Sequence, residues 1–199
     1  EGESLIMGKD NTVSLGTYNT ALGLNNSSDT NTSSIVAGKN NTLSNNTAVA
    51  VFGSSHDISV NSVDSLISGN QNKETTGTNN ASFGKTNITI SSTNSLTTGL
   101  SNKLTRATNS LTTGETNIGV DITNSIILGK DHSGNTVVRS IIGGESNTVS
   151  QTINSFANGK QNSLSSDNYS AVMGYNNTLT TTTFVGALTG QASSIANHD

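Results

Sequence analysis

Thirteen glycines recur at a nearly fixed interval along the 199 residues of this chain. The interval is fifteen residues, and it lengthens to sixteen between Gly53 and Gly69 and between Gly174 and Gly190. The repeat glycines are Gly8, Gly23, Gly38, Gly53, Gly69, Gly84, Gly99, Gly114, Gly129, Gly144, Gly159, Gly174 and Gly190. A fixed period with a fixed chemical signature indicates one small structural unit stacked many times. Fold and function therefore have to be interpreted coil by coil.

The same period organises the apolar residues and the asparagines. An aliphatic residue often stands three places before the repeat glycine, as at Ile35 and Ile126, and an asparagine usually stands three places after it, as at Asn41 and Asn162. A chain with 30% hydrophobic and 4% aromatic residues would otherwise be typical of a disordered protein. The regular placement of the apolar residues predicts an ordered repeat protein instead.

Each repeat is too short for two helices and a turn, and its Val, Ile, Thr, Ser and Asn content favours strands. Glycine and asparagine tolerate positive φ, so the Gly-x-x-Asn segment predicts a corner of the coil. The chain has no proline, which suits strands that pair with the coils above and below. We therefore predict an all-β parallel β-roll, or solenoid, of about 13 fifteen-residue coils. Each coil should contain two strands of about five residues joined by two corners.

The residues three and two places before a repeat glycine point in opposite directions, and both are apolar in most coils. The second of these rows is broken by Ser82, Thr97 and Thr112. The coil's own interior can cover only one of these faces. We therefore expect the other face to pack against identical chains in a homo-oligomer. The residues assigned to this partner-facing surface are Ile6, Val36, Val51, Ile67, Ile127, Ile142 and Val172.

Composition argues against several classes of function. The net charge of -4 and the 11% charged content argue against a nucleic-acid partner, which would need clustered Lys and Arg. No apolar stretch reaches the length of a membrane helix, so we expect membrane attachment only through an anchor outside this sequence. Cysteine is absent, and no nucleophile elbow or phosphate-binding glycine loop occurs. The sequence predicts no catalysis, no cofactor and no metal site, and His56 and His132 are interpreted as substitutions at the asparagine corner.

Candidate binding residues come from exposed aromatic and charged positions. The residue directly after each repeat glycine should form an exposed row, and aromatic side chains are over-represented at binding hot spots. The irregular coil after Gly69 also breaks the pattern, and insertions in repeat proteins map to loops that often bind ligands. The candidates are Tyr175, Phe184, Lys130, Lys160, Lys73 and Glu74.

The units Ser34-Ile35-Val36-Ala37-Gly38-Lys39-Asn40-Asn41 and Asn124-Ser125-Ile126-Ile127-Leu128-Gly129 resemble the head repeats of trimeric autotransporter adhesins, the YadA-like head family. The family repeat reads approximately Asn-Ser-Val-Ala-Ile-Gly-x-x-Ser. The resemblance covers essentially the whole chain, with a longer period and with Asn in place of Ser at the corner. It implies one head domain over residues 1–199 that lacks signal peptide, neck, stalk and membrane anchor. It also implies a left-handed β-roll in an obligate homotrimer.

The functional implication of this resemblance is adhesion. A head of this family would be exported to the outer membrane surface of a Gram-negative bacterium and would attach it to host matrix proteins or cell-surface receptors. Three other classes of β-solenoid stay open: a structural spacer, an ice-binding protein and a carbohydrate-cleaving β-helix enzyme. An ice-binding surface needs a continuous threonine array, and in the strands before the glycines the pattern stops after Thr97-Thr98 and Thr112-Thr113.

Overall fold

The computed structural model describes residues 3–59, 61–166, 168–180 and 186–196. It shows an all-β parallel β-solenoid of about 12 turns with roughly 15-residue coils, which confirms the predicted architecture. The expected 13 coils counted the repeat glycines rather than the intervals between them. The chain divides into two compact units, Glu1–Ser101 and Asn102–Asp199.

The strands of the first unit alternate between two parallel sheets, odd-numbered strands in the first sheet and even-numbered strands in the second. They are β1 (Leu5–Lys9), β2 (Thr12–Ser14), β3 (Thr20–Leu24), β4 (Ser27–Asp29), β5 (Ile35–Lys39), β6 (Thr42–Ser44), β7 (Ala50–Ser54), β8 (Asp57–Ser59), β9 (Leu66–Asn70), β10 (Lys73–Thr75), β11 (Ala81–Lys85), β12 (Ile88–Ile90) and β13 (Leu96–Leu100). Odd-numbered strands contain the repeat glycines.

The strands of the second unit follow the same alternation. They are β14 (Lys103–Thr105), β15 (Leu111–Glu115), β16 (Ile118–Thr123), β17 (Ile126–Lys130), β18 (Ser133–Val138), β19 (Ile141–Glu145), β20 (Thr148–Ile153), β21 (Phe156–Lys160), β22 (Ser163–Ser165), β23 (Ser170–Tyr175), β24 (Thr178–Thr180), β25 (Gly186–Gln191) and β26 (Ser194–Ala196). Most second-sheet strands have three residues rather than the predicted five.

The coils stack in strict register, so that equivalent repeat positions pair. Gly38, for example, lies opposite Gly23 on one side and Gly53 on the other. Its φ is 129°, and a Cβ atom added to it would collide with the carbonyl oxygen of Gly53. Two independent features therefore require glycine at this position: its backbone conformation and the short distance to the next coil.

Each coil that the structure describes in full turns three times rather than twice. In the coil that follows Gly38, positive φ values occur at Asn40 (56°), Asn45 (56°) and Ala48 (53°). The third side of most coils forms isolated bridges, such as Thr32 to Thr47. In β16, β18 and β20 it continues the second-sheet strand, where Ile122 pairs with Val137. The prediction of two corners was wrong because the third side is too short and polar to resemble a strand in the sequence.

From Asn26 onward, the asparagine three places after the repeat glycine is buried, and the residue before it adopts the positive φ. Asn26 is 1% exposed, and its Nδ2 donates to the carbonyl oxygens of Leu22 (2.9 Å) and Gly38 (3.0 Å). Its Oδ1 accepts hydrogen bonds from both the backbone N–H (3.2 Å) and the Nδ2 (3.0 Å) of Asn41 in the next coil. The predicted corner is confirmed, but the asparagine acts there as a hydrogen-bonding ladder that satisfies buried backbone groups.

The interior is lined by the inner row, which we define as the residues two places before each repeat glycine. These side chains meet those five places after the glycine, such as Leu43 and Leu164, both 0% exposed. The assignment of the inner row to a partner-facing surface was therefore wrong for six residues that are 0–1% exposed within a single chain: Val36, Val51, Ile67, Ile127, Ile142 and Val172. The seventh, Ile6, lies in the first described coil and is 49% exposed. Strand alternation separates the two faces but does not say which one the coil encloses.

Candidate functional site

The residues three places and one place before each repeat glycine point outward from the first sheet, and we call this surface the outer apolar face. In the first unit it includes large side chains that are half exposed: Leu5 (52%), Met7 (58%), Ile35 (41%), Phe52 (41%) and Leu66 (39%). In-register pairing sets them in rows across neighbouring strands; Ala37, for instance, pairs with Phe52. Apart from Ile6 in the first described coil, their sequence neighbours in the inner row are buried, so strand alternation places these apolar side chains in contact with solvent.

The second unit has an outer apolar face of its own. Leu128, Ile141 and Met173 are 38%, 40% and 38% exposed, and Phe156 is half-buried between them. Ile141 pairs directly with Phe156. Exposed apolar rows of this regularity commonly mark interaction surfaces rather than isolated surface residues.

The exposed row directly after the repeat glycines borders this face. Lys130 and Lys160 project from it, and each forms an ion pair with a glutamate of the preceding coil: Lys130 Nζ lies 3.5 Å from Glu115, and Lys160 Nζ lies 3.2 Å from Glu145. Tyr175 pairs with Lys160 in the ladder and is 43% exposed. These side chains of the row are therefore accessible, as predicted, and both lysines are paired with glutamates of the same row. Whether it binds a ligand stays a prediction.

Lys73 and Glu74 point in opposite directions from β10. Lys73 lies outside and forms a 2.7 Å ion pair with Asp57 of the preceding coil. Glu74 is 0% exposed, because it occupies the position five places after the glycine that faces the interior. The expectation that Glu74 binds a partner at the surface was therefore wrong. Phe184 lies outside the described residues.

His56 and His132 replace the ladder asparagine and keep its hydrogen bonds. The Nε2 of His56 lies 3.1 Å from the carbonyl oxygen of Phe52, and its Nδ1 accepts the backbone N–H of Asn72 at 3.1 Å. Burial lowers the pKa of His56, and these backbone contacts offset the effect only in part. Burial likewise lowers the pKa of His132. Both imidazoles are therefore structural groups.

Within the described residues, no group of three or more His, Cys, Asp or Glu side chains could hold a metal ion. A shallow concavity of about 370 Å³ lies at the first described coils; Glu3, Ser4, Leu5, Tyr18, Asn19 and Thr20 line it. The Oγ of Ser4 accepts a hydrogen bond from the backbone N–H of Asn19 at 3.3 Å there. None of the described elements is a helix that could span a membrane.

The sequence contains a signal that the inner row faces the interior rather than a partner. The inner row becomes polar at Ser82 and Thr97, and the positions five places after the glycine become polar in the same stretch, at Glu74 and Thr89. Two rows that change polarity together belong to one interior, and Thr89 Oγ1 indeed lies 3.3 Å from Thr97 Oγ1. The row three places before the glycine stays apolar in this stretch, at Leu66, Ala81 and Leu96.

No protein-family model matches this chain, and no curated protein does. Among solved structures, a protein described as an acetyltransferase from Desulfovibrio desulfuricans G20 is similar over 97% of this chain and 68% of its own, with a TM-score of 0.27 and 9% identity. The polySia-specific acetyltransferase NeuO is similar over 98% of this chain and 82% of its own, with a TM-score of 0.14 and 13% identity. These weak neighbours are not adhesins, and similarity at this level carries no inference about function.

Proposed function

We propose that this chain is the head of a bacterial surface adhesin without catalytic activity, of the trimeric autotransporter class whose repeats it resembles. The observation that carries this proposal is the outer apolar face, which each unit leaves exposed beside an interior that is already complete. The described residues of a single chain form two sheets and no further layer that covers this face, whereas copies of the chain around a symmetry axis would cover it. The proposal includes a left-handed β-roll and a homotrimer.

The homotrimer would join three outer apolar faces and leave the second sheets facing outward. The partner contact proposed here uses the rows three places and one place before the glycines, in place of the inner row. The exposed row with Lys130, Lys160 and Tyr175 would then lie at the border of the assembly and face the medium. Three identical borders on one head would bind a host surface by avidity, with modest affinity at each site.

The proposed partners are host extracellular-matrix proteins or cell-surface receptors, with the protein displayed on the outer membrane of a Gram-negative organism. Tyr175 is the residue most suited to contact them, because it is aromatic, half exposed and flanked by a lysine. A Tyr175→Ala variant should weaken adhesion to the bound host protein and leave the assembly unchanged.

Analytical ultracentrifugation of the purified chain tests the assembly. We expect a species of three chains, and we expect Ile141→Glu to dissociate it, since this change places charge at the centre of the outer apolar face. Thr148→Glu is the matched control, because Thr148 is exposed on the second sheet of the adjacent coil. A well-ordered monomer with the native sequence would overturn the trimer.

Binding to a panel of immobilised matrix proteins and receptor ectodomains tests adhesion. We expect saturable binding of the trimer to at least one of them. A trimer that binds none would be a structural spacer that holds another domain away from the cell, and the adhesive role would be rejected.

A specific feature favours ice binding as a second candidate. The outward positions of the second sheet carry many hydroxyl pairs on in-register strands: Thr12 and Ser14, Thr42 and Ser44, Thr148 and Ser150, Ser163 and Ser165, Thr178 and Thr180. Between Thr148 and Thr180 three consecutive coils keep this pattern, with neighbouring strands about 4.8 Å apart. Thermal hysteresis of the purified chain would support this function, and its absence would exclude it.

A further inference from the structure

The interior of the first unit changes from apolar to polar along the stack. Its hydrophobic cluster extends from Ala21 to Ile67. In the following coils the same interior positions hold Glu74, Ser82, Thr89 and Thr97, all 0–1% exposed. A solenoid interior gains stability from apolar contacts between coils, so a buried carboxyl at this point is a costly substitution that calls for a physical explanation.

Glu74 is held by only one of its two carboxyl oxygens. Its Oε1 accepts hydrogen bonds from the Oγ of Ser65 and the Nδ2 of Asn80, both at 2.9 Å. The carboxyl lies over Gly77, where any Cβ atom would collide with Oε1. Its Oε2 is buried without a hydrogen-bond partner, and the hydroxyl of Ser82 is buried and unpartnered in the same interior.

Among the described residues, no cationic side chain forms an ion pair with this carboxyl. Lys73 and Asp57, on β10 and the adjacent β8, face outward and pair with each other. The adjacent β12 contributes Thr89 to the interior, and Lys85 at the end of β11 is exposed. The nearest buried imidazole, His56, is already occupied at the corner by the carbonyl oxygen of Phe52 and the backbone N–H of Asn72.

An ionised Glu74 would therefore be a fully buried, unpaired charge with two hydrogen bonds, which is among the most unfavourable states a side chain can adopt. A neutral carboxylic acid removes this charge, while its Oε1 still accepts the hydrogen bonds from Ser65 and Asn80. We propose that Glu74 is a proton-binding site in the core of the first unit, and that loss of its proton loosens the coils around it. This proposal does not depend on the adhesive function.

The sign of the pH effect follows from burial. Burial raises the pKa of Glu74 above its ordinary value of 4.5, against the opposing effect of the hydrogen bonds from Asn80 and Ser65. A group whose pKa is higher in the folded state stabilises the fold fully below the unfolded-state value and loses this contribution as the pH rises through the folded-state value. The contribution of Glu74 to the free energy of unfolding of the first unit should therefore be larger in mild acid than at neutral or alkaline pH.

A metal cation is the competing occupant. The buried oxygens without partners near Glu74 are its own Oε2 and serine hydroxyls, which is a small donor set for a cation that takes six or more oxygen ligands. We therefore assign the site to a proton, and we make metal binding an outcome of the test.

The test combines a direct titration with a matched pair of variants in the full chain. The side-chain carboxyl carbon of Glu74 is followed by ¹³C NMR against pH, and its signal is assigned by its absence in Glu74→Gln. The expected midpoint lies clearly above those of the exposed glutamates. A midpoint at the ordinary glutamate value would overturn the proposal even if the variant failed to fold.

Thermal melts are then compared between pH 4 and pH 9 for the native chain, Glu74→Gln and Glu145→Gln, an exposed control that pairs with Lys160. Glu74→Gln should melt a few degrees higher than the native chain at alkaline pH, and this advantage should vanish in acid. Glu145→Gln should parallel the native profile throughout. Parallel profiles for Glu74→Gln and the native chain would refute the site. If sodium or calcium at constant ionic strength raises the melting temperature of the native chain but not that of Glu74→Gln, the site would be assigned to a metal ion instead of a proton.

Discussion

The Nδ1 of His132 accepts a hydrogen bond from the backbone N–H of Asn147 at 3.0 Å. One coil earlier, the Oδ1 of Asn117 accepts the equivalent hydrogen bond from the backbone N–H of His132 at 3.1 Å. A neutral imidazole with its proton on Nε2 therefore fits the asparagine ladder, with Nε2 donating to the carbonyl oxygen of Leu128 at 3.0 Å. A protonated imidazole does not fit it, because both ring nitrogens would then be donors.

The first prediction concerns acid stability. Burial lowers the pKa of His132 below its ordinary value of 6.5, so the unfolded chain binds the proton more tightly. The contribution of His132 to the free energy of unfolding is fully present above pH 6.5. It is lost as the pH falls from this value through the folded-state pKa. His132→Asn should flatten this part of the profile in urea unfolding experiments between pH 7.5 and pH 5. A variant that loses stability as steeply as the native chain would contradict the role assigned to the imidazole.

The second prediction concerns the asparagine ladder. Nδ2 of Asn162 donates to the carbonyl oxygens of Asn158 (3.0 Å) and Gly174 (2.9 Å), and its Oδ1 accepts from the backbone N–H of Asn177 at 3.1 Å. Asn162→Ala leaves these backbone groups without partners and should lower the free energy of unfolding by about 2–4 kcal/mol. Asn158→Ala is the control, because that side chain is exposed in the same coil. Equal urea midpoints for the two variants would mean that the ladder contributes little.

The third prediction concerns interior volume. Gly119 lacks a side chain where its coil is filled by Ile122, and a Cβ atom added to it would lie 2.8 Å from Ile122 Cδ1 and 2.9 Å from Leu104 Cδ2. Gly119→Ala should therefore cost about 1–3 kcal/mol by overpacking. Combining it with Ile122→Val, which removes the crowded Cδ1, should recover part of the loss. Thermal unfolding of the single and double variants measures this coupling, and strictly additive losses would count against it.

The fourth prediction separates the inner row from the outer apolar face. Ile127 is fully buried in a single chain, whereas its neighbour Leu128 is 38% exposed. Ile127→Asp buries an unpaired charge in the interior and should cost several kcal/mol whatever the oligomeric state. Leu128→Asp should leave the fold intact. Circular dichroism melts at low protein concentration distinguish the two, and unchanged melting of Ile127→Asp would show that the interior has been misplaced.

Much of the candidate site could be located only from the three-dimensional structure. Lys130, Lys160 and Tyr175 were found from the sequence, because the residue after a repeat glycine follows directly from the period. Glu74 was misassigned because its coil looks irregular in sequence, yet β10 keeps the same alternation as its neighbours and turns this carboxyl inward. The outer apolar face was mistaken for the interior for the same reason: period-two alternation is symmetric between the two sides of a strand.

The amino-acid sequence by itself determined the repeat length, the strand-and-turn character of each coil, the parallel stacking and the apolar strand with two faces. Its thirteen glycines and their asparagines are local signals, since each reflects a backbone conformation or a short-range bond that recurs in every coil. Only the tertiary structure decided which face is enclosed, that the fully described coils turn three times, and that the asparagines form a buried ladder together with His56 and His132. These features depend on contacts between residues that are one coil apart in sequence and adjacent in space, which periodicity alone cannot orient.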